Sequence, residues 1–309
     1  MEAPIKPGLV TGWVFAGAVI IGGANFLAVR FSNRELEPFW GAGLRFTIAA
    51  LIFVAIALVL RLPWPRGRQL ALTVVYGMLG FALFYALIYW ALVRVTAGVG
   101  TVVMAVVPLI TLLLAALQRL EKLGARALLG SLLALGGILW MTLGPTEVVL
   151  PFSALLAMLA AAVCVGQSVI VGKRISDNHP VMTNAVAMLT GAVALLATSA
   201  FIGESWVLPR QPDVVWSLAY LVTLGSVGLF VLVLLVVRRW SASATSYMFV
   251  LFPVVTMVLG ALLADEAITV NGAFGAAMVM AGVWFGALSP AARVTRHLPA
   301  GEVAVLGDG

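Results

Sequence analysis

The sequence predicts an all-α membrane protein of ten transmembrane helices, arranged as two inverted five-helix repeats. Three observations carry this. Of 309 residues, 63% are hydrophobic and 10% charged, and the mean hydropathy is +1.13. Apolar runs of spanning length recur ten times along the chain. One half of the chain also repeats in the other at a fixed spacing.

A soluble domain averages nearer ~45–50% apolar and ~25% charged. A chain this apolar matches lipid as its solvent. One span takes ~20 residues, so the length accommodates about ten with short connections. The longest polar stretches are 61–69, 203–213 and the tail after Pro290, and none could bury a core of its own.

The runs are bounded by charges, Pro or Gly. The first, 12–30, follows Lys6 and ends on Arg30. It has no clear cleavage site before its polar flank, so it reads as a retained span. The second, 38–60, opens on Pro38 and stops before Arg61. The third, 70–92, follows Arg66 and Arg68, and the fourth, 97–118, stops before Arg119. The fifth, 125–143, precedes Gly144-Pro145, and the sixth, 151–171, opens on Pro151. The seventh, 181–202, follows Pro180 and ends at Gly203. The eighth, 214–237, stops before Arg238; the ninth and tenth are 242–264 and 270–288. Barrel strands would be half this length and would alternate polar with apolar.

Orientation follows from Lys and Arg. With the N-terminus in the cytoplasm, the inside holds 13 of them and the outside 4, namely Arg30, Arg34, Arg94 and Arg210. This bias places both termini inside. The net charge of +6 is explained the same way. Nucleic acid is excluded as a partner, because no basic face interleaves with aromatics.

The repeat aligns Arg94 with Arg239 and continues without gaps. Thr96 meets Ser241, Ala97 meets Ala242, Thr101 meets Ser246, Pro108 meets Pro253, Thr111 meets Thr256, Glu121 meets Glu266, Gly130 meets Gly275 and Gly137 meets Gly282. An offset three residues shorter pairs Asn25 with Gln167 and Pro38 with Pro180. The expected units are 1–146 and 147–290, followed by a short cytoplasmic tail, 291–309. Five spans is an odd number, so the second unit enters the membrane from the opposite side, as in many transporters with a central site at the repeat interface.

Several chemistries are excluded. All twelve acidic residues lie in loops, at helix ends or in the tails, and His179 and His297 lie in a loop and the tail. There is no P-loop, no H-E-x-x-H and no G-x-S-x-G. Cys164 is alone, so no internal disulfide forms. No enzyme activity, metal or cofactor is expected. Uniport or facilitated export is the simplest mode, since no chain of intramembrane carboxylates can relay protons.

Candidate substrate-binding residues are Asn25, Arg45, Tyr85, Gln167 and Tyr247. Arg45 is the only charge well inside a span, about 10 Å along the helix from Pro38. Burying it costs ~2.5–3.5 kcal/mol near the bilayer centre. Two readings stand: an anion clamp or gating pair, or else a structural contact to carbonyls or snorkelling to the outer interface. Its repeat position is Ala187, so it has no symmetric partner. Asn25 and Gln167, matched across the repeat, are expected to converge near the midplane; the alternative is helix–helix glue. Phe81, Tyr85 and Tyr89, at i, i+4 and i+8, stack on one helix face beside Phe84 and Trp90. Tyr89 and Trp90 also suit an interfacial belt. Tyr85 and Tyr247 have hydroxyls that need partners. Pro108 and Pro253 are candidate hinges, with Thr111 and Thr256 placed to bond the carbonyls they free. The small faces Gly130/Ala134 and Gly282/Gly286 serve internal packing or a homodimer.

Taken together, these motifs resemble the EamA family of the drug/metabolite transporter superfamily. The resemblance rests on A-x(3)-[TS]-x(6)-P followed by a Glu in each half, and on Gly43-Leu44-Arg45-Phe46 in the second span. With its aromatic third span, the chain is similar to the YddG-type amino-acid exporters. The resemblance implies a secondary carrier in a bacterial inner membrane that exports amino acids or other small metabolites by alternating access. It also implies that Glu121 and Glu266 order loops. The competing readings are a carrier of another metabolite or drug, an intramembrane enzyme, and a non-transporting receptor or scaffold. Cationic drugs are disfavoured because no buried carboxylate offsets their charge.

Overall fold

The chain is described by a computed structural model over residues 9–120, 125–143, 150–175, 178–239, 248–265 and 267–285. Every regular element among these residues is helical. The helices are α1 Leu9–Ser32, α2 Pro38–Val59, α3 Gly67–Leu92, α4 Ala97–Leu117, α5 Ala125–Leu143, α6 Phe152–Gly172 and α7 Pro180–Ile202. Next comes α8, built from Pro212–Val222, Thr223–Gly228 and Leu229–Arg239, then α9 Met248–Leu263 and α10 Val270–Val283. Seven are long and apolar enough to cross a membrane; α9 and α10 are shorter apolar helices. Phe201, Trp216 and Leu58 stand 91%, 75% and 62% exposed, which in water would be an aggregating surface but suits lipid contact.

Local chemistry sets the helix ends. Pro38, Pro180 and Pro212 open α2, α7 and α8, where the missing amide leaves no bond unmade. Thr96 and Thr269 cap α4 and α10 by accepting from the amides of Val99 and Gly272. Gly203, at φ 78°, ends α7 in the left-handed conformation that glycine tolerates best.

The packing follows the repeat. Exchanging the halves swaps α1 with α6, α2 with α7, α3 with α8, α4 with α9 and α5 with α10. The α1–α9 contact then becomes α6–α4, α1–α8 becomes α6–α3, and α2–α8 becomes α7–α3. The pairs α2–α7, α4–α9 and α5–α10 map onto themselves. Each half also has a π-helical turn, Met78–Leu83 in α3 and Thr223–Gly228 in α8, at the same offset that relates Pro108 to Pro253.

Small residues set the closest approach. A Cβ on Gly282 would strike the carbonyl of Gly130 and the amide of Ala134 at 2.6 Å, and one on Gly137 would meet the carbonyl of Gly275 at 2.8 Å. The Gly130/Ala134/Gly282 face is therefore covered within the chain by the α5–α10 pair. Gly286 lies outside the described residues.

The two prolines differ. Pro108 begins the second part of α4, just after the helix breaks at Ala105–Val106, whereas Pro253 sits inside a continuous α9. Neither threonine bonds the carbonyl its proline frees. Thr111 donates to Val107 in its own helix (2.8 Å), and Thr256 donates to Gly23 in α1 (2.7 Å). Each instead packs on a glycine of the facing helix, Thr111 on Gly166 and Thr256 on Gly23. This places Gly23 opposite Gly166, so α1 and α6 are offset by one residue more than the sequence alignment assumed.

Candidate functional site

A cavity of about 150 Å³ lies between α1, α3, α6, α8 and α9. Its wall obeys the same symmetry. From α1 and α6 come Gly22 and Val165, Asn25 and Ser168, Phe26 and Val169, and Val29 and Gly172. From α3 and α8 come Phe84 and Leu229, Tyr85 and Phe230, and Ile88 and Val233. Seven equivalent pairs on one surface mean that corresponding faces of both halves build the cavity. Among the described residues, the remaining wall is mostly apolar and carries no charged side chain.

The one-residue shift in register corrects the expected meeting of Asn25 with Gln167. Asn25 is matched by Ser168, and both face the cavity. One residue turns a helix by about 100°, which swings Gln167 away. Its Oε1 accepts from Gln118 at 2.8 Å, and it is not part of the cavity wall. Aligning Gly23 with Gly166 in the sequence would have shown the shift, because small residues mark close helix contacts.

Arg45 is fully buried and lies behind this wall. Its Nε donates to Ser226 Oγ at 2.8 Å, Nη2 to the Gly225 carbonyl at 2.9 Å and Nη1 to Tyr89 OH at 3.4 Å. Its Cζ stands 4.9 Å from the Phe46 ring and 5.0 Å from that of Tyr85. The π turn of α8 supplies the acceptor. Leu229 donates to Leu224, five residues back, so the Gly225 carbonyl loses its usual α-helical donor. Asn25 Nδ2 donates to this carbonyl too, at 3.1 Å. No Cβ would fit here, because one on Gly225 would run into Asn25 Oδ1. Gly225 and Ser226 were not singled out from sequence, since nothing in a Gly-Ser pair within an apolar run signals a π turn.

The aromatic column on α3 forms as expected. Phe81 to Tyr85 and Tyr85 to Tyr89 are each 6.3 Å between centroids, and Phe46 and Phe230 pack on it at 4.5 Å from Tyr85 and 4.7 Å from Phe81. Tyr89 departs from the interfacial-belt reading: it is wholly buried and its hydroxyl serves Arg45. Trp90 remains half-exposed under Arg94, 3.6 Å away. Tyr247, Glu121 and Glu266 lie outside the described residues.

Among the described residues, two buried asparagines have amide atoms without a partner. Asn25 Oδ1 has no partner, and in Asn184 on α7 neither amide atom has one. Asn25 lines the cavity, while its Oδ1 is buried against Gly225 of α8.

The two ends of the cavity differ. At one end its wall includes Tyr76, Gly172, Ile175, Asn178 and Pro180, from the start of α3 and the α6–α7 connection. At the other, the α1–α2 and α7–α8 connections are cross-tied. Glu204 accepts from the amides of Phe39 and Trp40 at 3.1 and 2.7 Å, capping α2. Glu35 accepts from the amides of Arg210 and Gln211 at 2.8 and 3.1 Å, just before α8. Arg34 pairs with Asp213 at 2.8 Å, and Trp40 stacks on Trp206 at 4.7 Å.

Comparison with known proteins is consistent with this architecture. The family profile described as "EamA-like transporter family" matches residues 10–143 and 152–287. An uncharacterized inner membrane transporter, YedA of Escherichia coli (strain K12), is 30% identical over 256 residues, 81% of this chain and 81% of that protein. An uncharacterized transporter of Bacillus subtilis, YyaM, is 28% identical over 275 residues, 86% and 90% of the two chains. A probable amino-acid metabolite efflux pump of E. coli (strain K12) is 28% identical over 284 residues, 86% and 91%. A solved crystal structure with 21% identity matches at a TM-score of 0.65, over 90% of this chain and 96% of the other, and shows the shared fold.

Proposed function

Because the chain belongs to the EamA-like transporter family and is a multi-pass membrane transporter, we propose that it exports small metabolites with apolar or aromatic side groups, amino acids foremost, by alternating access. The observation that carries this reading is the cavity wall, assembled from equivalent residues of both halves. A site on the pseudo-twofold axis can be offered to either face when the halves exchange conformations. In this reading all ten helices span, the halves 1–146 and 147–290 are inverted, and both termini are cytoplasmic in a bacterial inner membrane. The tied end is then external and the cavity faces the cytoplasm.

Asn25 gives the apolar wall a polar side chain, and the Tyr85 column packs the solute's apolar group. Arg45 contributes from behind the wall. Reconstitution in liposomes tests the reading: labelled phenylalanine loaded on the cytoplasmic side should leave faster than from liposomes carrying an Asn25→Leu, Tyr85→Ala variant. Equal rates, with both proteins folded, would refute it.

A further inference from the structure

Among the described residues, Arg45 is a positive charge with no negative partner. All its polar contacts are neutral: a hydroxyl of Ser226, a hydroxyl of Tyr89 and the Gly225 carbonyl. The cavity beside it has no charged side chain in its wall. A carbonyl dipole stabilises a guanidinium at contact, but its field fades with distance faster than that of the net charge. Two wall residues touch this assembly: Tyr85, whose ring is 5.0 Å from Arg45 Cζ, and Asn25, which shares the Gly225 carbonyl. In a low-dielectric surrounding a charge one layer back still sets the potential of the cavity.

We propose that Arg45 determines charge selectivity through its field rather than by touching the solute: it admits anionic, zwitterionic and neutral apolar solutes and turns back organic cations. This rests on the cavity being the transport path. It assigns the lone buried arginine, which has no symmetric counterpart, a task that symmetry does not require. It also accounts for the burial of the guanidinium, each of whose three nitrogens already has a protein partner.

The test is independent of the natural solute. Phe230 lines the cavity one turn past Ser226, which bonds Arg45, so Phe230→Cys in a Cys164→Ala background puts a single thiol in the cavity wall. Three methanethiosulfonates are compared in reconstituted protein: the sulfonatoethyl (anionic), trimethylammonioethyl (cationic) and methyl (neutral) reagents, each normalised to mercaptoethanol. The anionic reagent should react about tenfold or more faster than the cationic one. Arg45→Gln should bring the ratio within about threefold of one, and Arg45→Lys should keep it high. A ratio near one with Arg45 present, while the neutral reagent reacts readily, overturns the charge inference alone, even if the Gln variant fails to fold. A thiol that the neutral reagent cannot reach means that the cavity is not an aqueous path, and the transport reading falls with it.

Discussion

The carboxylate of Glu204, which follows α7, accepts from the backbone amide of Trp40 in the first turn of α2 at 2.7 Å. It thus acts as a helix cap supplied by the other half of the chain. Losing a cap costs ~0.5–2 kcal/mol. If this cap holds the external end shut, Glu204→Ala should raise its open population roughly 2- to 30-fold. The check is labelling of an Ile88→Cys thiol by an impermeant maleimide added outside. An unchanged rate would remove Glu204 from the closure.

Asn25 and Gln167 should separate in function. Asn25→Leu removes a polar side chain of the cavity wall and its bond to the Gly225 carbonyl, and a lost buried partner costs ~1–3 kcal/mol, or roughly 5- to 150-fold in affinity. Gln167→Leu breaks a bond to Gln118 outside the cavity and should leave affinity within about twofold. Calorimetric titration of phenylalanine into each folded variant decides; equal losses would mean that the register shift is wrong.

Gly225→Ala should be costly, and Gly228→Ala, three residues on, should not. A methyl at 225 runs into Asn25 Oδ1 and comes within 3.4 Å of Arg45 Nη2, whereas at 228 its nearest neighbour is 3.6 Å away. Overpacking of this kind costs ~1–3 kcal/mol. The melting temperatures of the two variants in detergent give the comparison.

A reporter fused to the C-terminus should be active only as a cytoplasmic reporter, as the Lys and Arg bias requires. Activity on the external side would reverse the assignment of the tied end and invalidate the inverted arrangement.

Much of this was legible in the sequence. Composition forced the solvent, runs bounded by Pro and charge placed the helices, and Pro108, Thr111 and Gly137 in register with Pro253, Thr256 and Gly282 announced the repeat. Arg45 could be singled out because a charge in an apolar run is costly. Its partners could not, because they depend on a π turn at Gly225 that local propensity does not encode. The Asn25–Gln167 pairing failed for a related reason. An alignment anchored on Pro38 and Pro180 measures the start of α2 and α7, and the preceding connections differ by a residue, so the error entered as a rotation of α6. The ties of Glu35 and Glu204 were hidden because each joins connections more than 160 residues apart.

The paired π turns also bear on how such a chain arose. Each holds one residue more than an α-helix would at that point, and both fall at the same place in their half. A single ancestral unit that already contained the turn, and was later doubled, accounts for both at once. A five-helix unit begins and ends on opposite sides of the bilayer. In the proposed inverted arrangement, two copies of that ancestor would have inserted in opposite directions to close a shared cavity. A single chain would then fix that antiparallel partnership, and free one half to hold an arginine that the other does not match.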